Sequence, residues 1–225
     1  MMDLFKPLTL TDGTLLVKLA RYAIESKLRN IERIPITADH LKSMSLGVWV
    51  SVEKIKVSNG FRYRELRGDV GSPHPIRNLY DDVIMIARYA AFNSPKYSPL
   101  SLSEVKRIVI EVIVNNQPRQ VSMDNLAKVF IPGYHGLLIK RLDGSIDAYL
   151  AHKIIETAAK FHEEKNRSPS MDELISLICS KGCSEVKIFE TQIFYELEPE
   201  GEVIERLLYM NKYLREINTA KGLVS

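Results

Sequence analysis

Between residues 16 and 28 apolar side chains recur as Leu16, Leu19, Ala20, Ala23, Ile24 and Leu28, the spacing of a helix that buries one stripe. It predicts a helix over about 14–30, with Thr11 and Asp12 placed to cap its start. The period then changes. Residues 47–57 carry Val48, Val50, Val52, Ile55 and Val57, a β-branched set that favours a strand, and residues 62–66 read as its partner. Asn59-Gly60 between them is the dipeptide of a type I′ hairpin turn, in which both central residues need positive φ.

A second helix is expected over about 75–92 from Leu79, Val83, Ile86, Ala87 and Ala90, with Pro75, Asp81 and Asp82 suited to its first turns. Ser101 and Glu104 form a capping box for a short helical turn before a strand over 108–114. One face of that strand holds Ile108, Ile110, Val112 and Val114; the other reads Val109, Glu111, Ile113, so one carboxylate interrupts an apolar surface. Residues 137–142 and 145–150 flank Asp143-Gly144. A two-residue turn there pairs Arg141 with Ile146 and Lys140 with Asp147, gathering Leu137, Ile139, Ile146, Ala148 and Leu150 on one face.

A helix over 152–165 follows, then one opened by a Ser170/Glu173 capping box and stopped by Gly182. Residues 186–197 read as a strand with Phe189, Ile193, Tyr195 and Leu197 on one face, closed by Pro199. Val203, Leu207, Met210, Leu214 and Ile217 then recur at heptad spacing, which predicts a C-terminal helix over about 200–225. Such a helix packs on its own domain or pairs with a second copy as a homodimer. Hairpins alternating with helices define the class as α+β, an antiparallel sheet with flanking helices.

Composition narrows the function classes. The 225 residues are 45% hydrophobic and 26% charged with 11 Gly and 10 Pro, which excludes disordered, collagenous and low-complexity chains. No apolar run approaches the roughly 20 residues of a membrane span, and the start, Met1-Met2-Asp3-Leu4, lacks a secretory pattern, so a soluble cytoplasmic protein is expected. Thirty-one Lys plus Arg against 28 Asp plus Glu leave +3, scattered along the chain. Two cysteines, Cys179 and Cys183, are too few for a disulfide framework, a closed zinc site or a cluster; they read as half-buried thiols without a catalytic role. The five histidines show no paired ligand spacing, so no metal and no cofactor is expected.

The most unusual segment is residues 66–75, Leu-Arg-Gly-Asp-Val-Gly-Ser-Pro-His-Pro, read as a loop between a strand and a helix. Gly68 and Gly71 permit close backbone approach, Pro75 opens a positive helix end, and Arg67 offers a fork for a carboxylate or phosphate. Neither a phosphate-loop ending nor a dinucleotide fingerprint is present. Equally, Arg67 can pair with Asp69 or Glu111 in a purely structural turn.

Residues 66–71, LRGDVG, resemble the LRGCIG signature of the AMMECR-type family, named for a chromosomal region of Alport syndrome, midface hypoplasia and elliptocytosis. Further blocks agree in order and spacing: SLGVWVSV at 45–52, AAFNSPKYSPL at 90–100, IEVIV at 110–114, HGLLI at 135–139, KGC at 181–183 and QIFYELE at 192–198. The likeness spans about residues 40–200. It implies an α+β fold with a larger lobe and a smaller one around 130–185, with the signature near a cleft between them. It implies no settled activity, although family members occur joined to or beside Memo-like and radical-SAM proteins, which hints at a modification pathway. The signature cysteine is Asp69 here, and the family's Leu-Pro-Gln/Glu-Val block reads Leu150-Ala151-His152-Lys153, so a thiolate at the signature is impossible.

Three functions compete. A binding or adaptor-like module would hold an anionic small molecule or a partner segment near Arg67, Gly68, Asp69, Gly71, His74 and Glu111, with Glu111 orienting Arg67 or serving as a hydrogen-bonded edge carboxylate. An enzyme would use Asp69 or Glu111 as general base and His74 as acid or metal ligand; His74 and His135 both read more simply as solvated loop residues. Nucleic-acid binding rests on a pI near 8.7 and on Phe61 and Tyr63 beside Arg62 and Arg64; no ribonucleoprotein motif is present, and this partner is disfavoured.

Overall fold

The computed structural model describes residues 4–206. In chain order its elements are α1 (Leu10–Leu28), α2 (Asp39–Lys42), β1 (Gly47–Ser58), β2 (Phe61–Ser72), α3 (Leu79–Phe92), a 3₁₀ turn (Val105–Arg107), β3 (Ile108–Asn115), β4 (Arg119–Val121), α4 (Met123–Val129), β5 (His135–Lys140), β6 (Ile146–Tyr149), α5 (Ala151–Lys165), α6 (Met171–Ile178), β7 (Glu185–Glu196) and β8 (Val203–Glu205). Every strand pair whose register is resolved is antiparallel, and the class is α+β. The described residues divide into two compact units, residues 4–117 with 192–206, and 118–191.

The first unit orders its strands β2-β1-β3-β7, with β8 also on β7. Alternation decides its two faces. Val48, Val50 and Val52 of β1 and Ile108, Ile110, Val112 and Val114 of β3 point to one side, where they bury against Leu16, Ala20 and Ile24 of α1 and Val83, Ile86 and Ala90 of α3. Each of the valine, leucine and isoleucine side chains contributes about 1.5–3 kcal/mol by leaving water. Helix α1 starts at a full capping box, the Thr9 side chain accepting from the Asp12 N–H and Asp12 accepting from the Thr9 N–H. Within this core Arg21 donates from Nε to Glu196 Oε1 (3.0 Å) and from Nη2 to the Ile108 carbonyl (2.9 Å), and the Ile110 N–H donates to Glu196 Oε2 (2.9 Å). That carboxylate thus closes the edge of β3 where α1 crosses it.

The Asn59-Gly60 hairpin forms as expected, with φ of +51° and +79°. Strand β2 runs much further than residue 66, however, and LRGDVG lies inside it rather than in a loop. Gly68 and Val70 pair with Val52 and Val50 of β1, continuing the alternation through the glycines. A register shift between Val52 and Glu53 leaves Arg67 as the extra residue of a bulge. Helix α3 begins at Leu79 instead of Pro75. Asn78 caps it by accepting from the Asp81 N–H, and buried Asp82 accepts from the N–H groups of Ile76 and Arg77, so the chain through Pro75 stays extended. The positive helix end therefore lies well past the signature.

The second unit joins β4, β5 and β6 to residues 185–191 of β7. Its core is built from Leu126, Phe130, Leu137, Ile139, Ile154, Ala158, Leu174, Ile178, Val186 and Ile188. Helix α6 opens with the expected Ser170/Glu173 capping box. The β5–β6 turn departs from expectation. The Arg141 N–H donates to the Ser145 carbonyl (2.7 Å), the Gly144 N–H to the Arg141 carbonyl (3.1 Å), and Gly144 has φ of +84°, a three-residue loop rather than a two-residue one. Register slips by one: Lys140 faces Ile146 and Ile139 faces Asp147, so Ile146 is 67% exposed instead of buried.

Cys179 and Cys183 are bridged as a disulfide, not held as two thiols, and α6 ends at Ile178 before them. His135 opens β5 and is buried, contrary to the solvated loop residue expected. Val203 begins strand β8 instead of a helix, and Leu207, Met210, Leu214 and Ile217 of the expected C-terminal seam lie outside the described residues. Among the described residues no helix is long and apolar enough to cross a membrane, and no cluster of His, Cys, Asp or Glu could hold a metal ion.

Candidate functional site

The face of the first unit's sheet opposite α1 and α3 collects what alternation turns away from those helices. On β1 these are Trp49, Ser51 and Glu53; on β3, Val109, Glu111 and Ile113. Ser51 pairs with Asp69 of β2 on one side and Glu111 of β3 on the other. A hydroxyl between two carboxylates thus forms a transverse row across three strands, with Ser51 Oγ donating to Asp69 Oδ1 at 3.1 Å. Residues 69 and 111 enter the row because each has the parity that opposes Ser51.

Glu111 is buried, 4% exposed, and accepts a short hydrogen bond from Arg206 Nη1. Arg206 follows β8, where its N–H donates to the Ile193 carbonyl (2.9 Å) and its guanidinium lies 4.7 Å from the centre of the Tyr195 ring. Arg64 approaches the same ring to 4.3 Å, donates from Nη2 to the Leu197 carbonyl (2.6 Å) and stands 3.5 Å from Glu53. Two carboxylates, two guanidiniums and an aromatic ring therefore flank one buried carboxyl.

Burial is the dominant influence on that carboxyl and pushes its pKa from 4.5 up to about 7. The Arg206 charge pulls the other way, whereas the negative charges of Glu53 and Asp69 reinforce the rise. Glu111 is consequently poised to gain or lose a proton near neutrality, the property that separates a working carboxyl from a permanent salt-bridge partner.

The structure brings together only part of the expected site. Asp69 and Glu111 share the row. Arg67, displaced by the bulge, instead grips Glu104 with Nε (3.1 Å) and Nη2 (3.2 Å) and reaches the Ser98 carbonyl (3.4 Å). Glu104 also accepts from Lys54 Nζ (2.9 Å) and from Ser101, and the Arg67 hydrogen bonds hold it far below the usual carboxylate range. Gly68 and Gly71 serve packing. A Cβ on Gly68 would stand 1.9 Å from the Ala90 carbonyl oxygen of α3, and one on Gly71 would enter the Trp49 ring. His74 is exposed, with Nδ1 3.3 Å from Gln117 Nε2. Arg62, read as a base-stacking neighbour, forms a two-pronged pair with Glu198.

Ser51 and Arg206 were not singled out by the sequence, while Arg64 was read only as a neighbour of base-stacking rings and Tyr195 only as part of one face of a strand. Ser51 carries a legible signal, since it is a hydroxyl within the apolar run Val48–Val52 and opposite in parity to the valines. Arg206 carries none, because its partner Glu111 lies 95 positions away.

A glycine-signature strand packed on α3, an antiparallel sheet and a second helical unit define a class of small α+β proteins. The chain matches the AMMECR1 family model over residues 17–191 and belongs to that family. It is 32% identical to a protein of Thermofilum pendens over 218 residues, covering 89% of this chain and 97% of that protein. It is 33% identical to one of Methanopyrus kandleri over 215 residues, covering 88% and 95%. The crystal structure of an uncharacterized protein from Pyrococcus horikoshii superimposes with a TM-score of 0.65 at 25% identity, covering 86% of this chain and 95% of that one.

Proposed function

We propose that the chain is a binding module whose site is the row Asp69–Ser51–Glu111 with Arg206 beside it. Its ligand is a small molecule carrying an anionic group next to a hydrogen-bond donor. The anionic group takes Arg206, and the donor takes Asp69. What supports this reading is the buried Glu111, a carboxyl near neutral pKa set directly against a guanidinium. When Glu111 is protonated it withdraws its charge from Arg206, whose guanidinium is then available to an anion. Binding would therefore take up a proton. Arg67, the anion-gripping residue expected from sequence, leaves this role because Glu104 neutralises it.

An acid–base enzyme is the second reading, and the same Glu111 favours it, since a general acid or base works best when its pKa lies near the operating pH. In that case Asp69 and Ser51 would position the substrate group that exchanges the proton.

Native mass spectrometry of the wild type, Arg206→Ala and Asp69→Asn after incubation with extract of the source cells separates these from an empty row. A small-molecule adduct on the wild type that is lost in both variants fits the site. An adduct kept by both variants, or none on any of the three, contradicts it. Chemical conversion of the recovered molecule by wild type but not by Glu111→Gln would select the enzyme.

A further inference from the structure

In the second unit, the segment between α6 and β7 carries the Cys179–Cys183 disulfide, which closes a ring across only Ser180, Lys181 and Gly182. Both cysteines are half-buried. Below them lies Arg141, 4% exposed, from the β5–β6 turn. Its Nε donates to Asp147 Oδ2 (2.7 Å) and its Nη2 to the Tyr149 hydroxyl (2.8 Å), which fixes the guanidinium plane. Its Nη1 then points at three acceptors at once: the Ile178 carbonyl (3.1 Å), the Gly182 carbonyl (3.3 Å) and Cys183 Sγ (3.9 Å).

The backbone of this turn is held without the sulfur bond. The Cys179 N–H donates to the Ile175 carbonyl, the Gly182 N–H to the Cys179 carbonyl, and the Ser184 N–H to the Lys140 carbonyl, all at 2.8 Å. Gly182 has φ of +80°, which suits the helix exit. Arg141 ties the last carbonyl of α6 to the turn as well. A disulfide spanning so short a ring removes less freedom from the unfolded chain than one closing a long loop. The turn thus has backbone hydrogen bonds of its own beside the sulfur bond, and the two sulfurs occupy unequal surroundings. Cys183 lies against a fixed guanidinium, which favours a thiolate, while Cys179 caps the negative end of α6, which disfavours one.

We propose that Cys179–Cys183 is a redox-active disulfide that exchanges with a dithiol reductant, with Cys183 as the stabilised sulfur. A thiolate of the reductant attacks Cys179 Sγ. The bond to Cys183 Sγ breaks, and its electron pair leaves on Cys183 as a thiolate held by Arg141. The second thiol of the reductant loses its proton and attacks the reductant's own sulfur in the mixed disulfide, releasing Cys179 as a thiolate that takes up a proton. Net, the dithiol is oxidised to a disulfide, Cys179 becomes a thiol, Cys183 a thiolate, and one proton goes to solvent. In the reverse direction Cys179 attacks the oxidised reductant, and the Cys183 thiolate then attacks Cys179 Sγ in the mixed disulfide.

The test uses the full chain with dithiothreitol as the dithiol and no denaturant, followed by alkylation with iodoacetamide at graded pH and peptide mass mapping. The pair should be reduced while the circular dichroism spectrum is retained. At pH 7, Cys183 in the Cys179→Ser variant should alkylate about tenfold faster than Cys179 in Cys183→Ser, with a midpoint below the ordinary thiol value of about 8.5. Resistance to reduction until the protein unfolds, loss of the fold on reduction, or equal alkylation of the two cysteines would each overturn the proposal. The single-cysteine variants lack the disulfide themselves; their failure to fold would equally overturn it, by showing the bond to be structural.

Discussion

Replacing Glu111 with Gln isolates the one ionisation on which the candidate site turns. The carboxyl has an ordinary pKa of 4.5 and is raised to about 7 in the folded chain, chiefly by burial. The folded state therefore holds the proton more tightly than the unfolded one. Stability from this group is fully present below 4.5 and is lost as the pH rises through 7. The gap corresponds to about 3 kcal/mol, lost at no more than about 1.4 kcal/mol per pH unit. Glutamine keeps an oxygen for Arg206 and cannot ionise, so it imitates the protonated carboxyl at every pH. Urea unfolding of wild type and Glu111→Gln from pH 4 to pH 8 should give curves that converge near pH 4. They should separate steadily until, above pH 7, the variant is the more stable by about 3 kcal/mol. Other titrating groups cancel in the difference. Parallel curves would refute the reasoning, because they would mean that Glu111 ionises alike in both states.

His135 gives the opposite sign: burial, reinforced by the Arg119 charge, lowers its pKa from 6.5 to about 4, so stability should fall by up to about 3 kcal/mol between pH 6.5 and 4, a loss that His135→Gln should flatten in the same urea series. Arg21→Ala should cost about 3–5 kcal/mol in urea midpoint by leaving Glu196 buried without its guanidinium, and Arg21→Met with Glu196→Gln should recover part of that loss. Gly68→Ala forces a methyl against the Ala90 carbonyl of α3 and should destabilise by about 1–3 kcal/mol, measured by thermal unfolding. Gly60→Ala meets no neighbouring atom and should cost only about 1 kcal/mol, from its positive φ.

The elements that could be read from sequence are those specified by local chemistry. The Asn59-Gly60 hairpin, the Ser170 capping box and the alternation of β3 each depend on residues a few positions apart, and each formed. The β5–β6 register failed for an equally local reason: Asp143-Gly144 supports a three-residue loop as well as a two-residue one, and the choice decides whether Ala148 or Asp147 stands opposite Ile139. LRGDVG misled because glycine signals a turn and close packing alike; inside β2 its glycines let α3 and Trp49 approach.

The candidate site was half legible for the same reason. Glu111 is a carboxylate out of place in an apolar strand, and Asp69 stands out as the residue at the cysteine position of LRGDVG. Their partners come from distant chain: Arg206 reaches Glu111 from 95 positions away, and Arg67 is diverted to Glu104 by a bulge that no local pattern announces. The disulfide was missed because two cysteines four apart look like helix neighbours until the helix is seen to end at Ile178.

The central claim is that Glu111 exchanges a proton near neutrality under the opposing charges of Arg206 and Asp69. Its most direct measurement is an NMR titration of ¹³C-labelled glutamate carboxyls, with Glu111 assigned by the spectrum of Glu111→Gln. A midpoint near 7 is expected in the wild type, higher in Arg206→Ala and lower in Asp69→Asn. A midpoint near the ordinary 4.5, unmoved by either substitution, would contradict it.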